Sequence, residues 1–316
     1  MKRLIKSGAL AAAFLGFGAL QAAAEFPESQ ITMIVPFGAG GGSDRVARTV
    51  DQFWQQETGD SFNFQYQPGA AGSVGTAAIA NASPDGYTIG IVNLPNMVVQ
   101  PVVGTGTFAL DGFDYIGRVN SDPIVLMVPD ASPYKTLEDF VAAAKEAPGT
   151  LTLAITGTMG AAHLAALQMM DGAGIEVTLV PTQGGANTVA RIAGGHVTAG
   201  LIGLGLYTSQ DNGRALALTA DARSDFAPDV PTFSEKGISL DLATARIIVA
   251  PAGLPEDALA YLRSTLEKVT ESEGFITASA EQGQGAIWQD GEALEASVKA
   301  MEESITGLLR KYELID

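Results

Sequence analysis

Residues 31–50, ITMIVPFGAGGGSDRVARTV, decide the fold. The run Ile31–Phe37 is apolar and bounded by a turn signal, the pattern of a strand buried on both faces. Four glycines follow between positions 38 and 42, and from Ser43 the apolar residues Val46, Ala47, Val50, Phe53 and Trp54 recur at helical spacing. Strand, glycine loop and amphipathic helix form the first half of a crossover unit, and such units build parallel or mixed sheets covered by helices.

The same plan repeats downstream. FNFQYQ (62–67), YTIGIV (87–92), IVLMVP (124–129), LTLAI (151–155), IEVTLVP (175–181), HVTAGLIG (196–203), ALALTA (215–220) and RIIVAP (246–251) read as strands. Helical patterns separate them: TAAIANA, LEDFVAAAKEA, AAHLAALQMM, ANTVARIAGG and PEDALAYLRSTLEKV. Thr136 with Asp139 makes a capping-box start, and a long C-terminal helix over 292–312 ends on basic residues, as its dipole favours. The alternation predicts an α/β chain with mixed sheets flanked by helices. The length predicts two lobes joined by crossing strands, because no linker interrupts the pattern.

Residues 1–24 carry Lys2, Arg3 and Lys6, then a short apolar run, then Ala22-Ala23-Ala24. This is the pattern of a secretory signal peptide cut after Ala24; the apolar run falls short of the roughly 20 residues of a membrane span. The chain has no cysteine, which excludes disulfides, thiolate metal sites and the acylated cysteine of a lipoprotein anchor. A periplasmic protein without a lipid anchor or membrane insertion is expected. The formal charge of −17 argues against nucleic acid and anionic lipid as partners.

The glycine loop lacks the chemistry of a phosphate site. A P-loop requires a lysine, yet Asp44 stands there, and Ser43 occupies the third glycine position of a dinucleotide fingerprint. What remains is a helix start whose unpaired N–H groups and partial positive charge attract a small anion. PGAAGSVG (68–75), TGTMG (156–160) and TQGG (182–185) lie in equivalent places, and strand ends of such sheets collect at one crevice. No cofactor or metal motif is present.

His163, in the first turn of a helix, reads either as a ligand donor or as a capping residue. Arg246, in an apolar stretch, needs an anionic partner: a ligand carboxylate or an internal acid such as Asp241, the latter slightly favoured. Ala71-Gly72-Ser73-Val74-Gly75 is close to a nucleophile elbow, so a periplasmic serine hydrolase using Ser73 or Ser43 is the alternative class. It requires a serine within reach of His163 or His196.

Taken in order, IVPFGAGGGSDRVAR, QPGAAGSVG, SPDGYTI, TGTMGAAHLAA, VPTQGGA, GGHV, DVPTFSEKGI and VAPAGLPEDAL resemble the periplasmic substrate-binding proteins of the tripartite tricarboxylate transporter, or Bug, family. The resemblance implies a two-lobe periplasmic-binding-protein fold, type II-like, closing as a Venus flytrap. Lobe 1 would span 25–123 plus 246–316, and lobe 2 residues 124–245. It implies a monomeric, non-enzymatic receptor that delivers a small organic carboxylate to membrane permease subunits, or presents it to a sensor. Carried onto this chain, the ligand-binding positions are Phe37, Gly38, Gly40, Ser43 and Asn93, then Thr156, Gly157, Thr158, His163, Gln183, Gly184 and Gly185. Thr182-Gln183 stands where the family often has Tyr-Lys, and GLIGLG (200–205) lacks a customary polar residue. A carboxylate with a modest apolar part is therefore expected.

Overall fold

The computed structural model describes residues 26–316 except 183, 184 and 241. The expected signal peptide, Gln183, Gly184 and Asp241 thus lie outside the described residues. In chain order the first part comprises β1 (Thr32–Val35), α1 (Gly42–Thr58), β2 (Asn63–Tyr66), α2 (Ser73–Ala80), β3 (Thr88–Leu94) and α3 (Asn96–Val102). The long strand β4 (Phe113–Val128) leads to α4 (Leu137–Glu146), β5 (Thr152–Thr156), α5 (Ala161–Ala173), β6 (Thr178–Thr182), α6 (Gly185–Ala193), β7 (Ala199–Gly203), α7 (Leu204–Thr208) and β8 (Arg214–Leu218). Then come β9 (Ala243–Pro251), α8 (Glu256–Glu271), α9 (Glu273–Glu281), β10 (Gly285–Asp290) and α10 (Gly291–Lys311).

The strands order as β2-β1-β3-β9-β4-β7-β5-β6, with β8 and β10 also on β4. β1 is parallel to β2 and β3, and β5 is parallel to β6 and β7, while β9 and β4 run antiparallel to their neighbours. β4 carries the two-lobe design. Its residues 113–123 pair with β9, from Phe113 opposite Pro251 to Pro123 opposite Ala243. From Ile124 onward it pairs with β7 and β8 instead. One strand therefore belongs to both halves, and its partner changes at the Pro123–Ile124 step.

Apolar burial follows the same division. Met33, Val35, Val50, Trp54, Ile89, Ile248, Leu262 and Phe275 fill one face of the first half under α1 and α8. Val125, Met127, Ile192, Ile202 and Leu218 form a smaller core in the second half. A third core is continuous across both halves and includes Val92, Tyr115, Leu126, Leu153, Leu164 and Leu309. α10 reaches over the division: Lys311 pairs with Asp171, and the Tyr312 hydroxyl donates to the Leu167 carbonyl at 3.0 Å. The expected strands and helices form, with Pro255 capping α8. α3, α7, α9, β10 and the first half of β4 are additions to the sequence reading. HVTAGLIG is strand only from Ala199, so His196 precedes it.

Candidate functional site

The loop after β1 is held from within. Asp44 folds back so that one carboxylate oxygen accepts from the Gly40 backbone N–H at 2.6 Å. The other accepts from the Tyr66 hydroxyl at 2.7 Å and pairs with Arg48 at 3.0 Å. Burial raises the Asp44 pKa, but these hydrogen bonds outweigh it and the net shift is downward. The acid that excluded a phosphate reading is therefore the lock of the loop. The amide of Gly40, one of the expected ligand-binding positions, is thus hydrogen-bonded within the loop. Gly38 is exposed, and Phe37 lays its ring against Gly72, where an added Cβ would lie 2.8 Å from the ring. Ser43 donates to the Asn93 side chain at 2.9 Å, joining the start of α1 to the end of β3.

Lobe 2 meets the cleft with neutral groups. The hydroxyls of Thr156, Thr188 and Thr182 form a chain at 3.3 and 2.6 Å, and Thr182 donates on to the Ile155 carbonyl. The Gly157 N–H donates to the Thr182 carbonyl at 3.1 Å, so this amide too serves the loop and not a ligand. Thr158 is exposed. His163 is buried, and its Nδ1 accepts from the Met159 backbone N–H at 3.1 Å. Of its two readings, the geometry supports capping, and burial lowers its pKa. Ser43 bonds to Asn93, and Ser73 donates to the Thr105 carbonyl, so neither serine is paired with a histidine and the hydrolase alternative is not favoured.

Between these walls lie two adjoining cavities. One, of about 320 Å³, is lined by Asn96, Thr156, the start of α5 (Gly160–Ala162), Gly185 at the start of α6, and apolar Ile124, Leu201 and Ile202. The other, of about 540 Å³, is lined by Arg45, Phe226, Thr208, Gln282 and Gln284. Asp122, Leu206 and Arg246 line both. Two helix starts thus open onto one cavity, as the repeated strand–loop–helix pattern predicts.

Arg246 is the centre of the site. It is 8% exposed. Its Nη1 donates to Asn120 at 2.9 Å and lies 4.0 Å from an Asp122 oxygen, while Nε has no hydrogen-bond partner. A Cβ on Gly42 would lie 2.8 Å from Nη2, so the guanidinium sits against the first turn of α1. The favoured internal pairing of Arg246 is met in kind by Asp122, with Asp241 outside the described residues. Burial lowers the Arg246 pKa and raises that of Asp122, each against the pull of the other. Asp122 accepts from the Gly205 backbone N–H at 3.1 Å, while Arg246 Nε stays without a partner. Asn120, Asp122 and Asn96 escaped the sequence reading, although an Asn-Ser-Asp-Pro break inside an apolar strand was the available signal. Among the described residues no group of three or more His, Asp or Glu is placed to hold a metal, and no helix is long and apolar enough to cross a membrane.

Residues 46–299 match the family described as Tripartite tricarboxylate transporter family receptor. The chain belongs to this family. A UPF0065 protein from the TAR-I ttuE–ttuC' intergenic region of Agrobacterium vitis is 29% identical over 305 residues, covering 92% of this chain and 86% of its own. A ligand-free TctC solute binding protein from Polaromonas superposes with a TM-score of 0.80 at 28% identity, covering 90% of this chain and 99% of that one. A Rhodopseudomonas palustris protein with adipate has a TM-score of 0.76 over 90% of this chain and 98% of its own; at 22% identity it speaks for the fold alone. The two-lobe binding-protein fold and the role of solute receptor follow from membership.

Proposed function

We propose that this receptor captures a small organic carboxylate between lobe 1 (25–123 and 246–316) and lobe 2 (124–245) and delivers it to the permease of a tripartite transporter. The observation that carries the reading is Arg246: a buried guanidinium with an unpartnered Nε, set between the first turn of α1 and two cavities. Its donors, the first-turn amides of α1 and the starts of α5 and α6 supply positive potential where the whole chain is strongly acidic. Charges beyond about 8 Å are screened at physiological salt, so direct contacts decide the sign of the site.

Ser43, Asn93, Asn96, Thr156, Gly185 and Arg246 are the proposed contacts. Leu201, Ile202 and Leu206 fit the modest apolar part expected of the ligand. The polar groups at the distal end come from β4 and β9, not from the Gly200–Gly205 stretch. Export by residues 1–24, a periplasmic location without a lipid anchor, and a monomer complete the proposal.

A thermal-shift screen of organic acids tests it. A ligand at 100 times its Kd adds about 2.7 kcal/mol to stability, a rise in Tm that is easily measured. No stabilisation by any carboxylate contradicts the reading.

A further inference from the structure

Arg246 does not face the cavities alone. Asp122 lines both of them with it, 4.0 Å away, and its side chain is 14% exposed. Resting on the reading that the cleft holds a carboxylate, we propose that the two side chains read adjacent groups of one ligand. Arg246 takes the carboxylate, and Asp122 accepts from an N–H or O–H donor on the neighbouring carbon. The ligand class is then a 2-hydroxy or 2-amino acid, not the unsubstituted acid.

The geometry argues for two readers in place of a closed internal pair. An N–H···O hydrogen bond spans about 2.9 Å, and a buried Arg–carboxylate pair usually closes into a two-pronged contact. Here the separation is 4.0 Å, and each partner is held independently. Asn120 fixes Arg246 through Nη1 at 2.9 Å. The Gly205 backbone N–H, at the start of α7, fixes Asp122 through Oδ1 at 3.1 Å. Arg246 Nη2 and Asp122 Oδ2 thus keep hydrogen-bonding capacity beside the cavities, while Arg246 Nε is buried without a partner.

Glycines clear the space on both lobes. A Cβ on Gly42 would stand 2.8 Å from Arg246 Nη2, and one on Gly203 would stand 2.5 Å from Asp122 Oδ2. Gly203 has φ of −66°, a conformation open to any residue, so backbone strain does not explain the glycine. Room for the carboxylate does. A site that presents a buried acceptor to a ligand donor penalises the analogue lacking that donor, because the acceptor is then left unpaired.

Calorimetric titration of the mature protein with matched acids tests the proposal: propionate, lactate and alanine; succinate, malate and aspartate; glutarate, 2-hydroxyglutarate and glutamate. In at least one series the substituted acid is expected to bind at least about tenfold more tightly than its parent. Asp122→Ala should reduce that ratio to within about twofold. Asp122→Asn separates the two donors, since it still accepts from a hydroxyl but no longer attracts an ammonium. If Asp122→Ala does not fold, Gly203→Ala serves, because it displaces Oδ2 and should lower the same ratio. Parents binding as tightly as substituted acids in every series would overturn the inference and leave the receptor reading intact. So would a preference that survives Asp122→Ala or, where that variant does not fold, Gly203→Ala. No binding of any acid to the wild-type protein would overturn both.

Discussion

The two lobes bring the same strand–loop–helix plan to the cleft and fasten it in opposite ways. In lobe 1 the loop after β1 is locked by charge: Asp44 gathers the Gly40 amide, Tyr66 and Arg48. In lobe 2 the loops after β5 and β6 are joined by neutral hydroxyls of Thr156, Thr188 and Thr182. Neither loop supplies the cation. Arg246 comes from β9, and its neighbours Asn120 and Asp122 come from the first half of β4, with which β9 pairs. The loops are thus fixed by their own hydrogen bonds, and β9 with the first half of β4 places the charged side chains between them.

The largest effect is expected on removing the buried cation. Arg246→Met should weaken carboxylate binding by about 100-fold, the equivalent of losing one or two charge-assisted hydrogen bonds of about 1.5–3 kcal/mol each. Calorimetry reads the affinity, and thermal unfolding of the free protein separates it from stability, since Asp122 is left buried beside a neutral side chain. An unchanged Kd would show that the loops act without the crossing strands.

Next in size is the lobe 1 lock. Asp44→Ala leaves Gly40 and Tyr66 without their acceptor and should cost about 1 kcal/mol of stability, near the lower limit because Gly40 is exposed. The loosened loop should weaken binding by about three- to tenfold through lost preorganisation. A matching Thr188→Val change in lobe 2 that costs as much affinity would erase the contrast between charged and neutral fastening.

A smaller effect separates the lobes by pH. Burial holds the His163 pKa below its ordinary 6.5, so the unfolded chain binds the proton more readily than the folded one. Its contribution is complete above about pH 6.5 and declines as the pH falls from there toward the folded pKa. His163→Gln should remove that part of the slope in denaturant unfolding measured across pH 5–7. Persistence of the slope would assign it to another group. The smallest change is Tyr312→Phe, which deletes the α10 hydroxyl's bond to lobe 2 and should cost about 0.5–1.5 kcal/mol with ligand affinity nearly unaltered.

Much of this architecture is legible in the residues. Apolar runs closed by glycine loops placed β1, β5 and β6 with the helices that follow them, and apolar runs alone placed β3 and β7, because buried parallel strands announce themselves by continuous hydrophobicity. The first half of β4 did not, since FDYIGRVNSDP interrupts its apolar pattern with the very groups that serve the cleft. Asp122 was hidden for the same reason: Asn-Ser-Asp-Pro has turn composition, and only the pairing with β9 makes it strand. Gly40 and Gly157 were named as ligand-binding positions; that their amides donate to Asp44 and Thr182 is a tertiary arrangement that spacing cannot reveal. Arg246 was legible as an anomaly, an arginine in an apolar strand, although its partners lie more than 100 residues away in the chain.

The proposed function places an acid where α1, Arg246 and the start of α5 converge. A crystal structure of the protein with the tightest-binding acid from the screen tests it directly. A carboxylate within hydrogen-bond distance of the Arg246 guanidinium and of the first-turn amides of α1, enclosed by both lobes, is expected. An acid bound outside the cleft, or within it but without contact to Arg246, would contradict the account.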